Sequence, residues 1–150
     1  MSFTGEYHNI LDQKSRFSIP AKFRKSLHPK NDRTFIITRG FDRNLVLYPL
    51  EEWKIVEEQL SSLGSIKSKH RTFIRNIVRY ANNVQFDSQG RIQISDNLLE
   101  YSKISKKIVV IGMIEKIELW DPDALKNHEE NIQNNISEDD FESLANEIKF

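Results

Sequence analysis

One short pattern occurs twice in the chain, and this repeat limits which folds the chain can adopt. The first copy reads Asp12-Gln13-Lys14-Ser15-Arg16, and the second, in the other half of the chain, reads Asp87-Ser88-Gln89-Gly90-Arg91. Each copy is followed by alternating apolar residues, typical of a short strand, and then by a run typical of a helix. Since an overlooked repeat misassigns a whole fold, the two copies are the natural starting point.

The two halves remain similar beyond the pattern. Each continues with two dense apolar runs that predict strands: Phe35–Thr38 and Leu45–Tyr48 in the first half, Ile108–Ile111 and Ile117–Trp120 in the second. Gly40 and Gly112 follow the first run of each pair and are expected to end those strands. These glycines are closer together in sequence than Asp12 and Asp87 are, by three positions. The first half therefore has three extra residues, which we place in the polar loop 29–32.

The repeated pattern itself predicts a turn. Asp12 can start the turn because its carboxylate can accept a hydrogen bond from the backbone N–H two residues on. Gly90 supplies the positive φ that a tight hairpin needs, whereas Ser15 in the same place predicts a strained or different turn. Arg16 and Arg91 each lie where the chain enters the next strand, so we expect two cations at two equivalent hairpin tips.

Between the copies, the chain predicts two helices, 50–63 and 66–80, separated by Gly64 and Ser65. The second helix carries a basic stripe at four-residue intervals: Arg71, Arg75 and Arg79. Such a stripe beside an acidic helix favours exposed ion pairs that each contribute little stability. A surface that contacts the phosphates of a nucleic acid is the alternative.

The chain after the second copy is acidic. Ser137, followed by three acidic residues, predicts the capped start of a last helix. The apolar face of that helix consists only of Phe141, Leu144 and Ile148. We therefore expect it to fray or to dock on something else.

Formal charge is zero overall but unevenly distributed. Residues 1–50 carry +5, residues 51–105 carry +1 and residues 106–150 carry −6. This asymmetry can place a basic face on a protein whose net charge is zero. A nucleic acid that binds such a face releases counterions, and this release favours binding. A solvated acidic surface without any such role is the alternative.

Several classes of protein are disfavoured. No segment is long and apolar enough to cross a membrane, and residues 1–6 lack the features of an export signal, so we expect a cytoplasmic protein. The absence of cysteine excludes disulfides and thiolate metal sites. The four histidines have no metal-ligand spacing, and no phosphate loop, dinucleotide fingerprint or nucleophile elbow is present. We predict no enzyme, metal, cofactor or small-molecule substrate.

A single half of the chain would have difficulty burying enough core by itself. Two copies overcome this if their strands interleave into one sheet or barrel with pseudo-two-fold symmetry. The predicted fold class is therefore α+β, with four segments: module 1 at 5–50, connecting helices at 51–80, module 2 at 81–124, and an acidic helical segment at 125–150.

Four stretches of the chain resemble the MraZ family, and the resemblance covers essentially the whole length. They are Phe3-Thr-Gly-Glu-Tyr-His8, Leu11-Asp-Gln-Lys-Ser-Arg16, Ile19-Pro-Ala-Lys-Phe-Arg24 and Gly40-Phe-Asp-Arg-Asn-Leu-Val-Leu-Tyr-Pro49. The resemblance implies two interleaved SpoVT/AbrB-like swapped-hairpin βαβ modules, with Asp-x-x-x-Arg in both halves, plus added helices. Ser15 departs from the family, which usually has glycine there.

The resemblance also implies a function. It is that of a bacterial transcriptional regulator of the cell-division and cell-wall gene cluster, associated with the nucleoid. Such proteins bind short G-rich direct repeats in double-stranded promoter DNA as ring-shaped homo-oligomers. An antitoxin-like or scaffolding module that binds a protein partner is the alternative from a different class.

Residue roles follow from the chemistry of DNA. Arginine can bond guanine O6 and N7 together, and a two-stranded β element can enter the major groove. We assign base reading to Arg16 and Arg91, with the possibility that they only form local salt bridges. The remaining roles are phosphate contacts for Lys14, Lys22, Arg24 and Lys25, and shaping of the turns for Asp12, Asp87 and Gly90.

Overall fold

The repeated order of elements is confirmed in a computed structural model, which describes residues 2–148. The first half contains β1 (Phe3–Ile10), β2 (Arg16–Ser18), α1 (Ala21–Ser26), β3 (Thr34–Arg39), β4 (Leu45–Pro49), α2 (Leu50–Ser62) and α3 (Ser68–Val78). The second contains β5 (Asn82–Gln85), β6 (Arg91–Gln93), α4 (Asp96–Ser102), β7 (Lys107–Ile114), β8 (Ile117–Trp120), α5 (Pro122–Asn135) and α6 (Glu138–Glu147). The last two residues of the predicted segment 125–150 lie outside the described residues.

The two halves interleave, as predicted. Every strand of the first half forms an antiparallel pair with a strand of the second: β1 with β7, β2 with β6, β3 with β5 and β4 with β8. The six-stranded sheet has the order β1-β7-β8-β4-β3-β5, and β2 and β6 form a separate two-stranded ribbon. Exchanging the halves leaves this order unchanged, so a pseudo-two-fold axis passes through the ribbon and through the β4–β8 pair.

One hydrophobic core lies between the ribbon and the large sheet, and both halves contribute to it. Phe17 of β2 and Ile92 of β6 face each other across the ribbon, and both are buried. Phe3 packs edge-to-face against Phe23 of α1, with ring centroids 5.4 Å apart. Large aromatic side chains in such pairs contribute both buried area and geometric specificity. The core therefore fixes the position of the ribbon.

Strand register locates the three extra residues of the first half. Arg39 and Gly112 are the last paired residues of equivalent strand ladders. The distance between them in sequence is two positions shorter than the distance between Asp12 and Asp87. Two extra residues therefore lie between α1 and β3, where a short 3-10 turn (Pro29–Asn31) forms. At Leu45 and Ile117 the spacing is three positions shorter, so the third extra residue lies in the β3–β4 turn. The prediction that all three extra residues lie in the loop before β3 is therefore correct for two of them.

The expectation that Gly112 ends its strand is wrong. Gly112 lies inside β7, directly opposite Gly5 of β1. A Cβ atom built on Gly112 would lie 2.4 Å from the carbonyl carbon of Phe3, so the two backbones can approach only with glycine here. Gly40 does follow the end of β3, and its N–H donates to the Asn44 carbonyl at 2.8 Å.

The last helix begins as predicted. The Ser137 side chain accepts a hydrogen bond from the Asp140 N–H at 3.2 Å, and the Asp140 carboxylate accepts one from the Ser137 N–H at 2.9 Å. The three apolar side chains of its thin face are all exposed: Phe141, Leu144 and Ile148. Among the described residues, no helix has the length and apolar character needed to cross a membrane.

Candidate nucleic-acid interface

The first repeated pattern forms a closed turn built around Asp12. Its Oδ1 atom accepts hydrogen bonds from the N–H groups of Lys14 and Arg16, both at 2.9 Å. Its Oδ2 atom accepts the Nε–H of Arg16 at 2.8 Å. A backbone hydrogen bond from the Asp12 N–H to the Arg16 carbonyl, at 2.8 Å, completes the turn. One carboxylate thus shapes the backbone and orients the arginine.

The second turn repeats this geometry. Asp87 Oδ1 accepts the N–H groups of Gln89 and Arg91 at 2.8 and 3.0 Å, and its Oδ2 accepts Arg91 Nε–H at 3.0 Å. Because these ion pairs are partly exposed, they add little stability by themselves. Their effect is to orient Arg16 and Arg91 in the same way relative to each turn.

The hydrogen bonds stabilise the ionised form of both carboxylates. The pKa of Asp12 is lowered, mainly by the backbone N–H of Arg16, and the pKa of Asp87 is lowered mainly by that of Arg91. Each arginine uses Nε for its aspartate, which leaves the terminal nitrogens with four N–H donors. Within residues 2–148 these terminal nitrogens have no hydrogen-bond partner, so the outer edge of each guanidinium is available to a ligand.

The prediction for Ser15 is resolved in favour of strain. Ser15 has φ 59° and Gly90 has φ 77°, so both residues take the left-handed conformation in the same kind of turn. A residue with a Cβ atom adopts this conformation at a cost of roughly 1–2 kcal/mol. The hydrogen bonds to Asp12 and across the turn impose this conformation on serine.

The ribbon brings the two arginines, each at the end of its turn, onto one face. Arg16 pairs with Gln93, and Ser18 pairs with Arg91. Since Phe17 and Ile92 point into the core, these four side chains point outward. Strand spacing and rise place the Cα atoms of the two arginines roughly 8 Å apart. We call this outward surface, Arg16, Ser18, Arg91 and Gln93, the ribbon face.

The two turns are bonded to each other across the halves. The Ile19 N–H donates to the Gly90 carbonyl at 2.8 Å, and the Ile94 N–H donates to the Ser15 carbonyl at 2.9 Å. Gln93 Nε2 also donates to the Lys14 carbonyl at 3.0 Å. The ribbon face is therefore held rigidly at both ends.

The predicted phosphate contacts do not form one cluster. Lys14 is exposed on the first turn, and Lys22 is exposed on α1. Arg24, however, lies against the second turn: a Cβ atom on Gly90 would be 2.5 Å from Arg24 Nε, and this Nε donates to the Ile19 carbonyl at 3.0 Å. Glycine at position 90 thus leaves room for Arg24 as well as permitting positive φ.

Sequence reasoning missed Ser18 and Gln93 on the ribbon face. The available signal was the two-residue alternation with Arg16 and Arg91, which places Ser18 and Gln93 on the same side of their strands. The pairing of β2 with β6 could not be read from this alternation. Only this pairing sets Gln93 beside Arg16 and Ser18 beside Arg91.

The basic stripe on α3 is a separate surface. Within the described part of the chain, no ion pair joins the stripe to α2, so the predicted pairing with the acidic helix is wrong for a single chain. Arg71 instead donates to the carbonyls of Ser65 and Ile66, both at 2.8 Å. Thr38 Oγ1 donates to the Ile77 carbonyl at 2.9 Å and ties α3 to the sheet.

Comparison with known proteins identifies one family. The profile described as "MraZ protein, putative antitoxin-like" matches the chain twice, over residues 2–76 and 77–147. A protein of Natranaerobius thermophilus named "Transcriptional regulator MraZ" is 37% identical over 146 residues, which are 97% of this chain and 96% of that protein.

Two further relatives carry the same name. The protein of Halothermothrix orenii is 45% identical over 118 residues, which are 79% of this chain and 80% of that protein. The protein of Clostridium acetobutylicum is 39% identical over 146 residues, which are 97% of this chain and 96% of that protein. The matches to these two relatives therefore also cover most of this chain and most of each relative.

Proposed function

The chain belongs to the MraZ family of transcriptional regulators, and on that premise we propose that its ribbon face binds promoter DNA in the major groove. It is a regulator and not an enzyme. One observation carries the proposal: two arginines, each oriented by an aspartate, lie on the same outward face of a rigid two-stranded ribbon. A two-stranded β ribbon fits the major groove of DNA.

The chemistry of the ribbon face favours guanine. The free edge of each guanidinium can donate two parallel hydrogen bonds to guanine O6 and N7. With Cα atoms roughly 8 Å apart, Arg16 and Arg91 are separated by about two base-pair steps of about 3.4 Å. This spacing supports recognition of a short G-rich element. Lys14, Lys22 and Arg24 contact phosphates, which positions the protein without specifying sequence.

We further propose that the protein assembles into a closed ring and binds direct repeats. Two faces on different helices support this. Helix α3 contains three Lys/Arg and no Asp/Glu, with Phe73 partly exposed, whereas α6 contains five acidic residues and no Lys/Arg, with Phe141 and Leu144 exposed. Contact between α3 of one copy and α6 of the next is head-to-tail, and such contacts generate rings when they close.

A ring explains how weak single contacts give useful affinity. Each subunit offers only a few cations, but tethering several subunits raises the effective concentration at adjacent repeats. In the cell, we propose a cytoplasmic, nucleoid-associated protein that acts on the cell-division and cell-wall gene cluster. Chromatin immunoprecipitation of the tagged protein tests this location, and absence of that cluster from the recovered DNA contradicts it.

The deciding experiment is DNA binding across a salt series with the full chain and its variants. DNA from upstream of its own gene is the probe, with a scrambled control. Arg16→Ala and Arg91→Ala should each reduce the preference for the native sequence by about 1–3 kcal/mol. Arg75→Ala, on the proposed ring contact of α3, is the comparison variant, and on a probe with a single element, where assembly does not contribute, it should leave this preference unchanged.

Different outcomes distinguish the two basic surfaces. Lys22→Ala should weaken binding to both probes alike and lower the slope of log K against log[salt] by about 0.9. Loss of preference with Arg75→Ala alone would assign the DNA surface to α3. Equal binding of native and scrambled DNA by the unchanged chain, without salt dependence, would reject the proposal.

A second function is favoured by the family description and by α6. The profile's words "antitoxin-like" and the exposed acidic-apolar helix both suit binding of a protein partner. Under this alternative, changing Glu129 or Asp139 would abolish capture of that partner while DNA binding stays unchanged. A small toxin encoded beside the gene would also support it.

A further inference from the structure

The two ends of the ribbon have the same fold, but the helices beside them carry opposite charges. At one end, which we call the α1 end, the turn Asp87–Arg91 lies against α1, through Arg24 over Gly90 and the bond from Ile19 to the Gly90 carbonyl. At the other, the α4 end, the turn Asp12–Arg16 lies beside the start of α4. There Ser15, Gln93 and Asp96 line one cavity of about 620 Å³.

Interleaving creates this mixed arrangement. Because β2 and β6 cross at the axis, the helix of each half reaches the turn of the other half. The cations of α1 therefore lie beside the second Asp-x-x-x-Arg turn, and the acids of α4 lie beside the first. The sequences of the two turns alone do not show this difference in charge between the two ends.

Equivalent positions on α1 and α4 differ in charge. At the same spacing as Asp12 and Asp87, Lys22 corresponds to Asn97, Arg24 to Leu99, Lys25 to Glu100 and Ala21 to Asp96. Helix α1 thus carries three positive charges and α4 carries two negative charges. With the charged residues of the adjacent turns included, helix and turn sum to +3 at the α1 end and −1 at the α4 end. Arg33 and Lys106, whose carbonyls accept the N–H groups of Phe86 and Leu11 beside the turns, add one positive charge to each end and leave the difference unchanged.

A DNA duplex cannot satisfy both ends equally, because its phosphates carry the same charge along the whole groove. Phosphates beside α1 are attracted, whereas Asp96 and Glu100 repel phosphates beside α4. The ribbon face is also uneven, since Gln93 lies opposite Arg16 and the smaller Ser18 lies opposite Arg91. Glutamine can bond adenine N6 and N7 together, and serine cannot do so.

Binding to direct repeats requires every subunit to take one orientation, and we infer which orientation it is: the α1 end holds the DNA backbone and the α4 end makes few phosphate contacts. The inference rests on the proposed DNA binding and adds direction to it. A symmetric ribbon would favour a palindromic element, because protein symmetry is mirrored in the site. This ribbon favours an asymmetric element, and every subunit of a ring then reads repeats in the same direction.

Site-directed DNA cleavage tests the orientation. The chain has no cysteine, so a single cysteine can carry an iron chelate that cleaves nearby DNA. Gln13→Cys and Ser88→Cys form a matched pair, because both positions are neutral, exposed and equivalent, one on each turn. The probe is a single element enriched by the full-length protein from random-sequence DNA.

The expected result is cleavage on one flank of the element by the Ser88→Cys conjugate and on the opposite flank by the Gln13→Cys conjugate. Cleavage of both flanks to a similar extent by each conjugate overturns the inference, as does a palindromic enriched element. Failure to enrich any element overturns the proposed DNA binding instead, so the two failures are distinguishable.

A charge variant tests the cause. Asp96→Asn combined with Glu100→Lys makes the α4 end resemble the α1 end without touching the ribbon face. In this background, each conjugate should cleave both flanks, with the ratio between flanks falling at least several-fold. An unchanged ratio would show that charge does not set the orientation, and would overturn this explanation.

Discussion

The first and second Asp-x-x-x-Arg turns reach the same geometry with different residues at the left-handed position. Ser15 and Gly90 both have positive φ, and each aspartate accepts the same three hydrogen bonds. The first turn therefore forms without glycine, with strain in its backbone. The second turn needs glycine for an additional reason, because Arg24 occupies the space a side chain would take. Equivalent positions in a duplicated fold can thus be under different constraints.

Gly90→Ala should have the largest effect. It adds left-handed strain and forces Arg24 away, so we expect a loss of about 2–3 kcal/mol in the free energy of unfolding. Ser15→Ala is the matched control, since Ser15 already bears the strain, and it should change stability by less than about 0.5 kcal/mol. Urea unfolding measures both. Equal losses would contradict both the added backbone strain at position 90 and the displacement of Arg24.

The contribution of Arg24 can be isolated with a double-mutant cycle. If the guanidinium fills the space beside Gly90, Gly90→Ala should cost about 1 kcal/mol less in an Arg24→Ala background than in the native chain. Equilibrium unfolding of the four proteins gives the coupling energy. Additive losses would assign the whole effect of Gly90→Ala to its backbone conformation.

Ser15→Gly should stabilise the protein. Removing Cβ relieves the left-handed strain, but it increases the entropy of the unfolded chain, so the net gain should be about 0.5–1 kcal/mol. An increase in the urea midpoint without a change in slope is the expected observation. A decrease in stability would mean that the serine side chain makes a favourable interaction in the first turn.

Acid should weaken both turns equally. The folded pKa of Asp12 and of Asp87 lies below the ordinary 3.8, so each carboxylate stabilises the fold above this value. That contribution is lost as the pH falls through the lower folded pKa. Asp12→Asn and Asp87→Asn should each reduce the pH dependence of unfolding below about pH 3.8 by a similar amount. If the pH dependence of unfolding decreases in only one of the two variants, the two turns are not equivalent.

Much of this architecture can be predicted from the sequence because the signals are local. The Asp12 turn, the order of elements and the Ser137 cap depend on residues within a few positions of each other. The contact of Arg24 with Gly90 could not be predicted, because it depends on strand pairing between the halves. The constraint on Gly112 could not be predicted either, because it comes from the backbone of Phe3, at the other end of the chain.

The residues assigned to DNA contact remain predictions at the level of single side chains. Their types follow from groove chemistry, but their grouping depends on the fold. Arg16 and Arg91 are brought together as a pair by the ribbon, whereas Lys22 and Arg24 lie at the end opposite to Lys14. These last three cations are close in sequence but lie at two unequal ends of the ribbon.

The exchange of strands between halves has a consequence during synthesis. Strand β1 pairs only with β7, so the backbone bonds of Phe3 can form only after Ile114 has been added. At about 5–20 residues per second, a ribosome needs roughly 5–20 s to add the intervening chain. During that time the first half has an incomplete sheet and exposed core residues. We therefore expect the nascent chain to expose apolar surface that chaperones can bind until its second copy emerges.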